Sequence, residues 1–263
     1  MQLNRGWKVP AYKWHPRRHE NYSLELSGFG ETLTIHTLKG ICKSQSPEIM
    51  FISETKNQSR QVKIKLQAFS YENWHIVNPS GMAGGLALAW KDSINVQIIN
   101  SGEFFVAAEV KEFGNNGVWT FIGVHLGCSK QIRALQFEEL TTMSQQLEGK
   151  VVIAGDFNAI ISQVEKEGGG QKSATTIATF INFIDSNELV DTRMVGRPFT
   201  WTNRRQEEDL VKERLDHYLV GIGWKLKFPN AVVHRLTKSG SDHAPILMET
   251  EPQSWHSKRH FKY

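Results

Sequence analysis

The chain has 263 residues, of which 40% are hydrophobic and 22% charged, with a net charge of +4 and a pI of about 9.0. This length supports one large domain with a sizeable core. No stretch approaches the roughly 20 apolar residues of a membrane helix, and the N-terminus lacks the apolar core of a secretory signal. We therefore expect a nuclear or cytoplasmic globular protein without a membrane partner, and the positive charge mildly favours an anionic partner.

The first three predicted segments of the chain are an N-terminal segment, a helix and a strand that ends at a carboxylate. Residues 1–27 are basic and aromatic, without an apolar period, and predict a poorly ordered or peripheral segment. A helix begins at Thr32 and ends before Pro47. The run EIMFISETK (48–56) then predicts a buried strand that exposes Glu54 at its C-terminal end.

Four short apolar runs follow, separated by turn-forming residues. They are GGLALAW (84–90), INVQII (94–99), FFVAAEV (104–110) and VWTFIGVH (118–125). Four strands in succession favour an antiparallel meander. The last of them ends on His125.

The second half alternates helices with strands. An amphipathic helix (129–147) precedes a strand (150–154) that leads into Asp156 and Asn158, and another helix covers 175–189. The remaining strand-like runs are PFTWT (198–202), RLDHYLV (214–220), AVVHRL (231–236) and PILMET (245–250). The pattern predicts one α/β domain, a four-layer sandwich of two mixed, mainly antiparallel β-sheets packed face to face with helices outside.

Polar side chains recur at the ends of these strands. They are Glu54, His125, Asp156, Asn158, Asp216, Asp242 and His243. Singly, such residues most often form turns, helix caps or surface pairs. Together they offer oxygen ligands for Mg²⁺ or Mn²⁺, a histidine with an aspartate to hold its tautomer, and an amide donor for a charged transition state. Without a nucleophilic Ser or Cys motif, this set indicates metal-assisted attack of water on a phosphoester.

Four motifs carry a family resemblance: ETK (54–56), GDFN (155–158), RLDHYL (214–219) and SDHAPI (241–246). They resemble the endonuclease/exonuclease/phosphatase superfamily. The runs GGLALAWK, PFTWTNRR and ERLDHYLV are similar to the endonuclease domain of plant non-LTR retrotransposons. The resemblance implies such a domain over 28–250, between a divergent N-terminal segment (1–27) and a basic tail (251–263). It also implies DNA as the partner and a nick that leaves a 3′-OH.

The resemblance assigns roles in metal binding, water activation and transition-state stabilisation to four residues. Glu54 matches the principal metal ligand, and Asp242 matches a second acidic position near the metal, with Mg²⁺ or Mn²⁺ as the cofactor. Asp156 matches the aspartate that orients or activates the attacking water. Asn158 matches the asparagine that steadies the transition state.

The resemblance also implies phosphate contacts, and this chain departs from the family at two positions. His243 matches the histidine at the scissile phosphate, and Asp216 matches the aspartate bonded to it. His125 stands where the family often has tyrosine, and it could contact phosphate. The first-strand asparagine of the family is missing, because the aligned position holds Glu25 or, with a small slip, Ser27.

Trp201, Asn203 and Arg204 form a candidate nucleic-acid contact, because an aromatic ring beside basic groups suits stacking and phosphate binding. An exposed turn with a core tryptophan explains them equally well. Cys42 and Cys128 have no metal-ligand spacing and predict two buried free thiols in a monomer.

Three functions follow from this sequence. The first is a Mg²⁺-dependent DNA endonuclease of retrotransposon descent. The second is a non-catalytic remnant of that domain that only binds nucleic acid. The third is a phosphoesterase of the same superfamily that acts on an inositol phosphate, on sphingomyelin or on an RNA tail.

Overall fold

The computed structural model describes residues 22–27, 32–81, 84–111, 117–147, 150–238 and 240–252. Within these residues the α-helices are α1 (Thr32–Gln45), α2 (Ser59–Gln67), α3 (Lys130–Ser144), α4 (Ala174–Ser186) and α5 (Ile222–Lys227). None of them is long and apolar enough to cross a membrane.

The same residues form sixteen strands. In chain order they are β1 (Tyr22–Ser27), β2 (Ile49–Ser53), β3 (Asn73–Val77), β4 (Leu86–Trp90), β5 (Asn95–Ser101), β6 (Phe105–Lys111), β7 (Val118–His125), β8 (Val151–Asp156), β9 (Lys166–Glu167), β10 (Leu189–Asp191), β11 (Met194–Val195), β12 (Trp201–Thr202), β13 (Lys212–Glu213), β14 (Asp216–Gly221), β15 (Val232–Arg235) and β16 (Ile246–Glu249).

Two large mixed sheets make up the centre of the fold. A seven-stranded sheet has the order β11-β15-β16-β1-β2-β4-β3, and a six-stranded sheet has the order β10-β14-β8-β7-β6-β5. A small third sheet contains β12, β13 and β9. The expected four-strand meander is wrong in one respect, because β4 lies between β2 and β3 in the seven-stranded sheet. Only β5, β6 and β7 form the antiparallel meander.

The predicted four layers are confirmed by the burial of each face. Phe51 and Leu88 of the seven-stranded sheet pack with Phe121 and Tyr218 of the six-stranded sheet in one core between the sheets. Helices α1 and α2 cover the outer face of the first sheet, and α3 and α4 cover that of the second. Because both faces of β2 and β8 are covered, these strands are apolar along nearly their whole length.

Residues Tyr22–Ser27 form a strand inside the seven-stranded sheet, whereas the sequence analysis placed them in a poorly ordered or peripheral segment. Strand β1 runs parallel to β2 and antiparallel to β16, with Glu25 opposite Phe51 and Ile246. The strand is short and its pattern weak, so its partners elsewhere in the chain decide its conformation. The rest of the predicted N-terminal segment, residues 1–21, lies outside the described residues, as does the tail from residue 253.

Gly155 permits a close approach of β8 to β7. Its φ of 140° is unfavourable for residues with a side chain, and a β-carbon there would lie 2.0 Å from the carbonyl oxygen of Val124. Val124 and Gly155 are register partners, one step before the pair of His125 and Asp156. The glycine therefore fixes the strand spacing where the polar residues begin.

We expect Gly155→Ala to lower the free energy of unfolding by about 1 to 3 kcal/mol, because backbone atoms cannot move aside as a flexible side chain can. Urea unfolding followed by tryptophan fluorescence measures the change. Gly170→Ala is the matched control, since no heavy atom lies within 4 Å of a β-carbon at that position. Equal midpoints for the two variants would contradict this account of the strand contact.

Candidate active site

Three polar side chains lie in one row at an end of the six-stranded sheet. His125 pairs with Asp156 across the parallel β7–β8 ladder, and Asp216 pairs with Asp156 across the antiparallel β14–β8 ladder. Register partners on neighbouring strands share a face. Since Val152 and Ala154 belong to the core between the sheets, Asp156 faces the other sheet as well.

His243 reaches this row from the loop before β16. Its Nδ1 atom lies 2.9 Å from Oδ2 of Asp216, and its Nε2 atom lies 3.7 Å from Oδ2 of Asp156. The backbone amide of Asp216 donates to Oγ1 of Thr200, at 3.1 Å. Because a carboxylate accepts from Nδ1, His243 presents Nε2 towards Asp156 and the solvent.

Asp156 and Asn158 form one rigid unit. The backbone amide of Asn158 donates to Oδ1 of Asp156 at 2.8 Å, and its side-chain amide donates to Oδ2 at 3.1 Å and to the carbonyl of Leu126 at 2.7 Å. Asn158 has a φ of 49°, a left-handed conformation that asparagine tolerates better than most residues. The GDFN turn therefore holds the amide against the carboxylate, with both amide hydrogens in use.

Burial dominates the electrostatics of Asp156, which is only 1% exposed. Desolvation raises the pKa of its carboxyl group, and the nearby Asp216 adds to this effect. The charges of His243 and His125 and the hydrogen bond from Asn158 act in the opposite direction but do not cancel it. A carboxylate with a raised pKa is a better proton acceptor than an exposed one.

Glu54 lies across the cleft, directly after β2. The backbone amides of Thr55 and Lys56 donate to the carbonyls of Gly85 and Gly84, at 3.0 and 3.1 Å. A β-carbon on Gly85 would lie 2.3 Å from the hydroxyl of Thr55, so this glycine is required for the contact. The glycine pair thus anchors the ETK turn, and Nζ of Lys56 lies 3.2 Å from the Glu54 carboxylate.

His125 lies between the carboxylates of Glu54 and Asp156. Its Nε2 atom is 3.9 Å from Oε1 of Glu54, and its Nδ1 atom is 3.6 Å from Oδ2 of Asp156. The Nδ1 atom is buried and has no hydrogen-bond partner among the described residues. Buried polar atoms are rarely left unsatisfied, so this atom indicates a site for water or a ligand.

The residues present fit a divalent cation. Asp156, Asp216 and His243 can each bring one ligand atom within 4.8 Å of the others. The carboxylate of Asp216 is already bonded to His243. Glu54 and Asp242, the metal ligands predicted from the sequence, line the same cleft but lie outside this group, and their role as ligands stays a prediction. A donor set rich in carboxylates suits Mg²⁺ or Mn²⁺ better than zinc.

Most of the site residues predicted from the sequence line one cleft of about 470 Å³. Its lining includes Glu54, His125, Asp156, Asn158, Trp201, Asn203, Asp242 and His243. Asp216 is buried and contacts His243 instead of lining the cleft. Arg204 lines a neighbouring groove, where it donates to the carbonyl of Gly240.

Asp242 and Trp201 are joined by a side-chain hydrogen bond. Nε1 of the indole donates to Oδ2 of Asp242, at 3.1 Å. Burial raises the pKa of Asp242, but His243, Trp201 and Arg204 together outweigh it, so the pKa lies below its ordinary value. Asp242 is therefore charged at neutral pH.

Asn203 uses its side chain within its own loop. Nδ2 donates to the carbonyl of Asp209 at 2.7 Å, and Oδ1 accepts from the amides of Arg205 and Val211, at 3.2 and 3.0 Å. Its amide therefore closes the turn between β12 and β13. A contact between Asn203 and nucleic acid remains a prediction.

Six further residues line the cleft and were not predicted as site residues: the apolar Val211 and Leu215, and Cys128, Arg133, Lys172 and Glu213. Glu213 is 4% exposed and pairs with Lys166 at 2.6 Å and with Lys172 at 2.8 Å. Only the position of Glu213 beside the RLDHYL motif could have indicated it. Cys128 is a free thiol as expected, but it is exposed and lies 3.6 Å from Oδ1 of Asn158.

A second acidic cluster lies behind the cleft. The guanidinium of Arg214 contacts Glu165 at 2.7 Å and Asp191 at 2.7 and 2.9 Å, and His217 lies 3.3 Å from Asp191. Burial raises the pKa of Asp191, but His217 and Arg214 outweigh it and lower the pKa overall. Arg214 already compensates these carboxylates, and it fixes the backbone just before Asp216.

Comparison with known proteins agrees with this architecture. The model of the Endonuclease/Exonuclease/phosphatase family matches residues 29–243. No curated protein matches the chain. The fold is similar to that of the 3′ phosphatase NExo from Neisseria, solved with a product DNA hairpin, at 18% identity and a TM-score of 0.66 over 88% of this chain and all of that one.

Two further structures share the fold. The endonuclease domain of TRAS1, a telomere-specific non-LTR retrotransposon, is 11% identical, with a TM-score of 0.65 over 88% of this chain and 98% of that one. The AP endonuclease LMAP from Leishmania major is 12% identical, with a TM-score of 0.65 over 89% of this chain and 88% of that one. At these identities the likeness establishes the fold alone.

We expect Asp156→Asn to raise the free energy of unfolding at neutral pH. The pKa of Asp156 in the folded protein lies above its ordinary 3.8, so the stability that is present below that pH is lost as the pH rises through the folded-state pKa. Asparagine has no proton to lose. The advantage of the variant should therefore grow from about pH 4 upwards.

Urea unfolding at a series of pH values, in EDTA to exclude metal, tests this expectation. Asp185→Asn is the control, because Asp185 is exposed and lies outside the cleft. Parallel stability curves for wild type and Asp156→Asn would show that burial of this carboxylate has no energetic cost.

Proposed function

Since this chain belongs to the endonuclease/exonuclease/phosphatase family, we propose that it is a metal-dependent phosphodiesterase that nicks DNA and leaves a 3′-OH. The observation that carries the proposal is the pairing of His243 with Asp216 beside the unit of Asp156 and Asn158. The arrangement offers a proton acceptor, a phosphate contact and an amide donor in one cleft. No Ser or Cys nucleophile is required.

Asp156 accepts the proton of the attacking water in this proposal. Its Oδ2 atom lies 3.6 Å from His125 and 3.7 Å from His243, too far for a direct hydrogen bond to either ring. An oxygen atom of water or phosphate beside either pair, on the cleft side, can therefore hydrogen-bond to Asp156 and to a ring nitrogen at once. The raised pKa of Asp156 favours transfer of the proton from water to this carboxylate.

His243 and Asn158 act on the phosphate. Asp216 accepts from Nδ1 of His243 and stabilises the imidazolium, whose Nε2–H then donates to a phosphate oxygen. Asn158 can donate to the transition state by exchanging its longer bond, the one to Asp156. A Mg²⁺ or Mn²⁺ ion held by Glu54 and Asp242 would neutralise charge on the phosphoryl group.

The specific activity that we propose is DNA nicking like that of a retrotransposon endonuclease. The runs GGLALAWK, PFTWTNRR and ERLDHYLV support it, and the TRAS1 endonuclease domain has the same fold. The positions of Trp201 at the cleft and of Arg204 in the groove beside it support a role in stacking and phosphate contact. A nick that leaves a 3′-OH would provide a primer for reverse transcription.

The missing first-strand asparagine favours a second candidate function, a remnant that binds DNA without cutting it. Of the two candidate positions, Ser27 lies opposite Ser53, the residue before Glu54, whereas Glu25 lies opposite Phe51, farther from the cleft. This register supports Ser27 as the position at which the family amide is missing. Neither serine nor glutamate can donate an amide hydrogen bond.

We expect the protein to nick supercoiled plasmid in Mg²⁺, with EDTA abolishing the reaction. Asp156→Ala and His243→Ala should each lower the rate at least about 100-fold, because each removes a group that moves or holds a proton. Gel analysis of nicked circles measures the rate, and extension by a polymerase reports the 3′-OH.

Asp185→Asn serves as the control, since it removes an exposed carboxylate outside the cleft. Unchanged nicking in Asp156→Ala or His243→Ala would refute the assignment. Binding of DNA without any Mg²⁺-dependent nicking by the wild type would favour the remnant.

Introducing an asparagine on the first strand tests whether the protein is a weak nuclease or an inactive one. We expect Ser27→Asn to raise the nicking rate by up to about 100-fold, the contribution of one donor to a charged transition state. Glu25→Asn is the matched comparison, because position 25 lies two residues farther from the cleft. A larger gain from Glu25→Asn would show that the register assignment is wrong.

A further inference from the structure

A second concave surface adjoins the catalytic cleft and carries a concentration of positive charge. This basic groove has a volume of about 910 Å³. Its basic lining residues are Arg197, Arg204, Lys212, Arg235 and Lys238, and Glu167 is its one acidic lining residue.

The groove and the cleft share a wall. Trp201 lines both of them. The backbone amide of Thr202 donates to the carbonyl of Asp242 at 3.1 Å, and that of Ala244 donates to the carbonyl of Thr200 at 2.7 Å. A chain that leaves the cleft over Trp201 therefore enters the groove directly.

Four of the five groove cations form no ion pair within the described part of the chain. Lys212 pairs with Glu167 at 2.5 Å, and Arg204 donates to the carbonyl of Gly240, but Arg197, Arg235 and Lys238 have neither an ion pair nor a side-chain hydrogen bond there. The Nε atom of Arg235 is buried and has no hydrogen-bond partner among the described residues. Asp242 acts on Lys238 without forming an ion pair with it, so these charges are not neutralised by a paired carboxylate.

Neighbouring cations in the groove contribute to lowering the pKa of Arg235 and of Lys238. Burial lowers the pKa of Arg235, and the charge of Arg197 lowers it further. Burial also lowers the pKa of Lys238, with further contributions from Arg204 and Arg235 that Asp242 opposes. Like charges held together on a folded surface gain stability when an anion lies between them.

We propose that the basic groove binds successive backbone phosphates of the DNA strand that extends from the cleft, through Arg197, Arg235 and Lys238. This inference rests on the proposed function in one respect only, that the cleft receives DNA. A polyanion fits better than a single phosphate, because several basic residues line one groove that shares Trp201 with the cleft. Contacts to phosphates position the strand without reading its bases.

The salt dependence of DNA binding tests the proposal. In EDTA, where no cleavage occurs, the affinity for a short fluorescent duplex is measured over a series of KCl concentrations. The variant Arg197→Gln/Arg235→Gln/Lys238→Gln should bind more weakly, and the slope of log K against log[KCl] should be shallower by about 2.7, or about 0.9 for each phosphate that is no longer neutralised. The weakening should be the same for duplexes of unrelated sequence.

A matched variant controls for net charge. Lys39→Gln/Lys43→Gln/Lys63→Gln removes three exposed charges from α1 and α2, outside the groove, and should keep the wild-type slope. If the groove variant does not fold, Arg197→Gln/Lys238→Gln retains Arg235 and should lower the slope by about 1.8.

The outcomes separate this proposal from the catalytic one. A wild-type slope in the groove variant overturns the groove proposal, even if plasmid nicking is intact. A reduced slope supports it, even if the protein never cuts DNA. A slope lowered equally by the α1 and α2 variant, or a wild type that does not bind DNA, also overturns it.

Discussion

The burial of one carboxylate, Asp156, is the constraint on which the site depends. It ends the third strand of the six-stranded sheet, between β7 and β14, and faces the other sheet where the apolar core stops. A charge there is costly unless opposite charges and donors surround it. The fold provides His125 and His243 within 4 Å and two hydrogen bonds from Asn158. These partners reduce the cost without removing it, so the pKa of the Asp156 carboxyl group stays raised.

The strand order explains why this arrangement is possible. His125, Asp156 and Asp216 occupy equivalent positions on three neighbouring strands, so the ladders set their spacing without help from loops. His243 comes from the other sheet and closes the row, since its loop bridges to Trp201. The site is therefore precise where it is built on strands.

The sequence predicted the layers and most of the cleft, because these depend on local patterns. Polar residues beside the strand-like runs identified Glu54, Asp156, Asp216 and His243, and the family motifs supplied their expected roles. Strand β1 was missed because six weakly patterned residues owe their conformation to partners far away in the chain. Placing β4 in a meander failed for the same reason, since proximity in sequence does not decide which sheet a strand joins. Arg197, Arg235 and Lys238 carry no motif, and only folding brings them together.

The cleft and the basic groove place different demands on charge. Carboxylates and imidazoles line the cleft together with Arg133 and Lys172, so a phosphate there meets both signs of charge. In the groove, positive charge predominates, and binding of a phosphate backbone there would need no metal. Under the two proposals, the groove would hold DNA while the cleft samples successive phosphates. The missing first-strand amide would then weaken the chemical step without weakening the attachment of DNA, because the two processes depend on different residues.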